Sequence, residues 1–128
     1  MKIPSPAPTS LKVTIDSKVI FQSDGKWLHP LFELEDFLHA HTYDMYKAVL
    51  WDKIIGKAAA FLIVRLGVGK VHGHVMSDLA VEVFQASATP FSYDERVNRI
   101  DCKTESILLN VDDPQEAYRI LCKRAGRC

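Results

Sequence analysis

At 128 residues the chain has the length of one domain with a single substantial core. Apolar residues make up 48% and charged residues 25%, the proportions of an ordinary water-soluble globular protein. Sixteen basic and sixteen acidic residues cancel, which argues against a nucleic-acid partner, because neutralising phosphates needs a basic excess or a basic face.

Residues 1–10 carry Pro4, Pro6 and Pro8; alternating prolines forbid helix, so a flexible Pro-rich tail is expected ahead of a single α/β domain over 11–126. Leu11, Val13 and Ile15 alternate with Lys12, Thr14 and Asp16, and Val19-Ile20-Phe21 follow a polar turn, the pattern of a β-hairpin. Pro30 then fits a first helical position, and Leu31, Leu34, Phe37 and Leu38 recur at helical spacing to about residue 40. A strand is expected over 46–51. Asp52 stands at its end or caps a helix over 53–66 that is apolar on nearly every side, the mark of a buried element.

Gly67 suits the end of that helix. Lys70 to Met76 reads as a further strand, and Ser77-Asp78 as the cap of a helix carrying Leu79, Val81, Val83 and Phe84. Phe91 to Tyr93 makes a short strand before an irregular polar stretch, and Asp113-Pro114 opens a last helix. The order β-β-α-β-α-β-α-β-α calls for an α/β fold, a three-layer α/β/α sandwich with a mixed sheet and a β-hairpin start.

This order, the block Asp52-Lys-Ile-Ile-Gly56-Lys57-Ala-Ala-Ala, Gly25-Lys26 before Pro30-Leu31, and Ser77 ahead of the third helix together resemble the DUF1893 family of uncharacterised prokaryotic proteins. The likeness runs from about Leu11 to Tyr118. It implies a cytidine deaminase-like fold. Where the family often carries Cys-Pro-x-Glu, this chain has Cys102-Lys-Thr-Glu105, without the proline. A zinc deaminase needs a His or Cys two residues ahead of a catalytic Glu, and Pro-Cys-x-x-Cys at the next helix. Here the first segment reads His29-Pro-Leu-Phe-Glu33 and the second has no cysteine. The chain is therefore not a zinc-dependent deaminase, and neither a metal nor a cofactor is expected.

The strand-to-helix joints are where α/β proteins place ligands. Lys57 supplies a cation beside helix N–H groups, Gly56 allows close approach, and Asp52 either orients Lys57 or caps the helix. Ser77 caps its own helix or lines the same cleft, and His29 faces the cleft in a deaminase-like arrangement. Cys102 is the candidate nucleophile, set against a plain free thiol. Three cysteines cannot all pair within one chain and match no metal spacing, which points to a reduced, cytoplasmic setting. Cys122 reads as core filling. His72 and His74 lie two apart on one strand face, without an evident third ligand. No stretch is apolar and long enough to span a membrane.

Two functions remain open. One is a pocket for an anionic or nucleotide-like small molecule, lined by Asp52, Gly56, Lys57, Ser77 and His29. The other is a non-catalytic homo-oligomeric interaction module.

Overall fold

Leu11–Ile15 (β1) and Lys18–Ser23 (β2) form the antiparallel hairpin, with Asp16 and Ser17 at positive φ in the turn. The computed structural model describes residues 9–26, 28–100, 107–108 and 110–127; Trp27 and Cys102 lie outside this set, as do residues 1–8 of the Pro-rich segment. Helix α1 covers His29–Ala40, with Pro30 in its first turn, as its fixed φ and missing N–H favour. Strand β3 (Val49–Ile55), helix α2 (Lys57–Leu66), strand β4 (Lys70–Ser77), helix α3 (Asp78–Ala86), strand β5 (Phe91–Val97) and helix α4 (Pro114–Arg124) complete the order read from the sequence.

Two boundaries differ from the sequence expectation. Strand β3 does not stop at Asp52 but continues to Ile55, because Ile54 and Ile55 pair with Val75 and Met76 of β4. The helix therefore begins at Lys57, with Gly56 as its N-cap, and Asp52 caps nothing. Strand β5 likewise runs on through Asp94 to Val97, where a polar stretch was expected to be irregular. It is an edge strand, and an edge tolerates polar side chains as long as its backbone is paired.

The five strands lie in the order β2-β1-β3-β4-β5, with β1 antiparallel to both neighbours and the pairs β3–β4 and β4–β5 parallel. One register row, Phe21–Val13–Leu50–Val71–Phe91, crosses the whole sheet on a single face. Helix α1 meets this row at Phe21, whose ring lies 5.3 Å from that of Phe37. Helix α3 meets it at Phe91, with the Phe84 ring 5.8 Å away. Helix α2 packs between them and touches β3, α1, α3 and α4.

The class and the mixed sheet are those expected, but the layers run sheet, three helices, fourth helix, rather than helix, sheet, helix. The cause is that all three crossovers step in one direction along the sheet, so right-handed connections place α1, α2 and α3 on the same face. The opposite face is left bearing Lys12, Lys53 and His74, all exposed.

Enclosure explains the composition of α2. Residues Lys57 to Ile63 are buried without interruption, and Ala58-Ala59-Ala60 let its backbone approach its neighbours closely. The helix ends at Gly67, which takes the left-handed conformation (φ 74°). Two residues later the Gly69 backbone passes so near the Tyr46 carbonyl that a Cβ would overlap it.

Helix α4 is held on this assembly by a polar contact. Glu35 of α1, nearly buried, accepts from Arg65 Nη1 of α2 at 2.8 Å and from Tyr118 Oη of α4 at 2.6 Å, while the Arg65 guanidinium stacks 3.6 Å from the Tyr118 ring. Arg127 adds an ion pair to Asp36 and lies over Phe32. Cys122, read as core filling in a reduced chain, is buried but disulfide-bonded, which corrects the expectation of reduced cysteines; both other cysteines, Cys102 and Cys128, lie outside the described residues.

Because Glu35 would keep its charge but lose one of two donors, Tyr118→Phe is expected to lower unfolding stability by roughly 1–2 kcal/mol. Glu35→Gln should cost at least as much, since it also breaks the ion pair to Arg65. Urea denaturation of both variants checks this; an unchanged midpoint for both would remove the network as the anchor of α4.

Candidate functional site

The carboxyl ends of β2, β3, β4 and β5 share one edge of the sheet, and the N-termini of α1, α2 and α3 leave from it. All the described candidate residues stand along this edge. His29 is exposed at the first position of α1. Ser77 is fully buried and spends its hydroxyl on the helix, accepting from Ala80 N–H at 3.1 Å as the N-cap of α3. The neighbouring Asp78 pairs with Arg96 at 2.6 Å. Cys102 lies outside the described residues.

Asp52 occupies a second row of the helix-covered face, Ser23–Leu11–Asp52–Gly73–Tyr93. A carboxyl there is partly withdrawn from water, and burial raises its pKa from 3.8 to about 7, against the opposing pull of the Ile54 and Lys53 backbone N–H groups. The Lys57 ammonium is not among the groups that act on it. The two residues sit on either side of the strand-to-helix joint at Gly56.

Lys57 is only 5% exposed, although it is the first residue of α2. Its ammonium lies 3.8 Å from Asp112 Oδ1 and 5.8 Å from the centre of the Phe61 ring. It opens on a cleft of about 620 Å³ between α2, α3 and the start of α4. Phe61, Val64, Leu79, Val83 and Ala86 form apolar walls, and Glu82, Ser87 and Asp112 stand at the margins. Asp112 is almost wholly exposed, so the long ion pair it makes with Lys57 is one that solvent or a competing anion can replace.

Sequence reasoning found Lys57 from its position among apolar residues. It missed the cleft, which is built from three helices distant in sequence. The periodic apolar stripe of α3 was the available signal, but a stripe does not reveal whether it is fully covered.

His72 and His74 do share a face, the open one, and the structure supplies the partners that the sequence lacked. His72 lies 2.7 Å from Ser92 Oγ and 3.0 Å from Asp94 Oδ1, and His74 lies 3.1 Å from Asp94 Oδ2. These imidazoles hold the Asp94 carboxyl below the usual carboxylate range. Among the described residues no three His, Cys, Asp or Glu side chains are grouped so as to hold a metal ion, and no helix is long and apolar enough to cross a membrane.

The Asp52 environment fixes the sign of a pH effect. The folded state favours the neutral acid, so its contribution is intact below the ordinary pKa near 3.8 and is lost as pH rises to about 7. The loss amounts to about 4 kcal/mol as an upper bound, or roughly half that after allowance for the residue's partial exposure. Asp52→Asn is therefore expected to match the native chain near pH 4 and to exceed it by about 2–4 kcal/mol at pH 8. Chemical denaturation at the two pH values checks this, and an equal difference at both would mean that Asp52 is ionised throughout.

Comparison with known proteins agrees with this architecture. The family profile described as a domain of unknown function (DUF1893), TM1506, matches residues 8–124. No curated protein matches. The crystal structure of a DUF1893 family protein (TM1506) from Thermotoga maritima is similar, with a TM-score of 0.81 and 28% sequence identity over 91% of this chain and 80% of that one. The match spans every element from the hairpin to α4, and on it the chain belongs to the DUF1893 family, a family of unknown function.

Proposed function

We propose that this domain binds a small anionic molecule with an apolar body in the cleft between α2 and α3, with Lys57 receiving the anion. The observation that carries the reading is the burial of Lys57 at the end of a cleft with apolar walls and polar margins. The N-terminal N–H groups of α2 add a positive partial charge at the same end. The walls of Phe61, Val64, Leu79 and Val83 give an apolar body somewhere to go, so aryl and alkyl carboxylates or phosphates fit better than inorganic ions.

The cleft begins where α2 begins, which is the end of the sheet at which a cytidine deaminase-like relationship would also put a ligand. Of the residues expected to share the site, Lys57 alone lines the cleft, and Gly56 precedes it as the N-cap of α2. Asp52, Ser77 and His29 do not line the cleft. Their part in this reading is to shape the strand-to-helix joints, and no catalytic step is assigned to them.

Thermal shift with octanoate, phenyl phosphate and inorganic phosphate tests the proposal. A ligand that binds only the folded state, at about 100 times its dissociation constant, adds roughly 2.7 kcal/mol and visibly raises the melting midpoint. Octanoate or phenyl phosphate should raise it and inorganic phosphate should do so less. Lys57→Met keeps the buried stem and should lose the effect. Ala86→Trp fills the cleft from an exposed position, leaves Lys57 in place, and should lose it too. No shift with any probe, or a shift that survives both substitutions, overturns the reading.

A further inference from the structure

The open face of the sheet is not a neutral surface. A register row Gln22–Lys12–Trp51–His72–Ser92 crosses all five strands on the side away from the helices. Trp51 sits in the middle of it, half-buried, on the central strand and flanked directly by Lys12 and His72. On the same face Lys53 and Val49 stand two residues either way along β3, and Lys70 pairs with Val49 on the next strand. Two residues along a strand is about 7 Å. The indole is thus ringed by three exposed lysines within a few side-chain lengths. The carboxylate among these rows is Asp94, already engaged by His72 and His74.

The exposed acids Glu33, Asp36, Glu82, Asp112, Asp113 and Glu116 stand on or beside the helices instead. Exposed Arg65, Arg119, Lys123 and Arg124 stand among those acids, so the helical side carries both signs, whereas the lysines of the sheet face are grouped around Trp51. This removes the ground on which the composition argued against a nucleic-acid partner, since a basic face serves as well as a basic excess.

We propose that this face binds single-stranded nucleic acid, with one base stacked on Trp51 and the adjoining phosphates on Lys12, Lys53 and Lys70. An unpaired base presents a flat apolar surface to an aromatic ring, and lysines at strand spacing track the backbone that carries it. The indole selects this partner over an acidic peptide, for which the lysines alone would serve. A duplex is disfavoured because its bases are stacked on one another and its rounded backbone meets a sheet face at few points. The surface is separate from the Lys57 cleft, so either proposal stands without the other.

The test is fluorescence anisotropy of a labelled twelve-nucleotide oligo(dT) and oligo(rU) on the full chain at 50 mM salt. Binding is expected in the micromolar range and should weaken steeply at 200 mM salt. The double variant Lys12→Glu/Lys53→Glu, both exposed positions, should weaken it at least tenfold. Trp51→Leu should weaken it about five- to tenfold and Trp51→Phe less, with melting midpoints recorded to show that each variant is folded. Lys123→Glu on α4 should change nothing. Absence of binding, binding indifferent to the sheet-face variants, equal affinity for duplex or for a mononucleotide, or tighter capture of a poly-glutamate peptide would each overturn the proposal.

Discussion

The direction of the three crossover connections is the constraint on which this structure depends. Each passes from one parallel strand toward β5, and right-handed connections that step the same way must land on the same face. Helices α1, α2 and α3 are consequently side by side, and the last helix has only their outer surface to pack on. One face of the sheet is buried under two layers of helix. The other is left to solvent.

The chemistry of the chain follows this asymmetry. A helix enclosed by the sheet, two flanking helices and α4 must be apolar on every side, and α2 is. It also buries the one cation it carries at its start, Lys57. Where α4 rests on α1 and α2, the contact includes a carboxylate, a guanidinium and a phenol that satisfy one another. Because α4 begins beside α2 and α3 without filling the space between them, a cleft remains with Lys57 at its end. The covered face also desolvates Asp52, which lies in a row with Leu11 and Gly73 and behaves as an acid far weaker than a solvated aspartate. On the uncovered face, by contrast, charged side chains are solvated, with Lys12, Lys53 and Lys70 near Trp51 and Asp94 held by His72 and His74.

Membership of the DUF1893 family, whose function is unknown, supplies a fold but not a role. What bears on role is the pair of surfaces the fold creates. One is concave, apolar and closed by a buried cation. The other is flat, polar and aromatic at its centre. Each follows from the placement of residues that composition alone averages away.

The elements and their order were legible in the chain, because apolar periodicity, Pro30, Gly67, Ser77 and Asp113-Pro114 are local signals that no distant contact contradicts. The sequence located Lys57 as a residue out of keeping with its neighbours for the same reason. It misjudged the end of β3, since Ile54 and Ile55 suit helix and strand equally, and only their pairing with Val75 and Met76 decides between the two. The Asp94 partner of His72 and His74 and the three-helix cleft both required tertiary structure. In each case the meeting residues lie on elements far apart in sequence, and which face an element turns to its neighbour is fixed by the handedness of the connections and the register of the sheet.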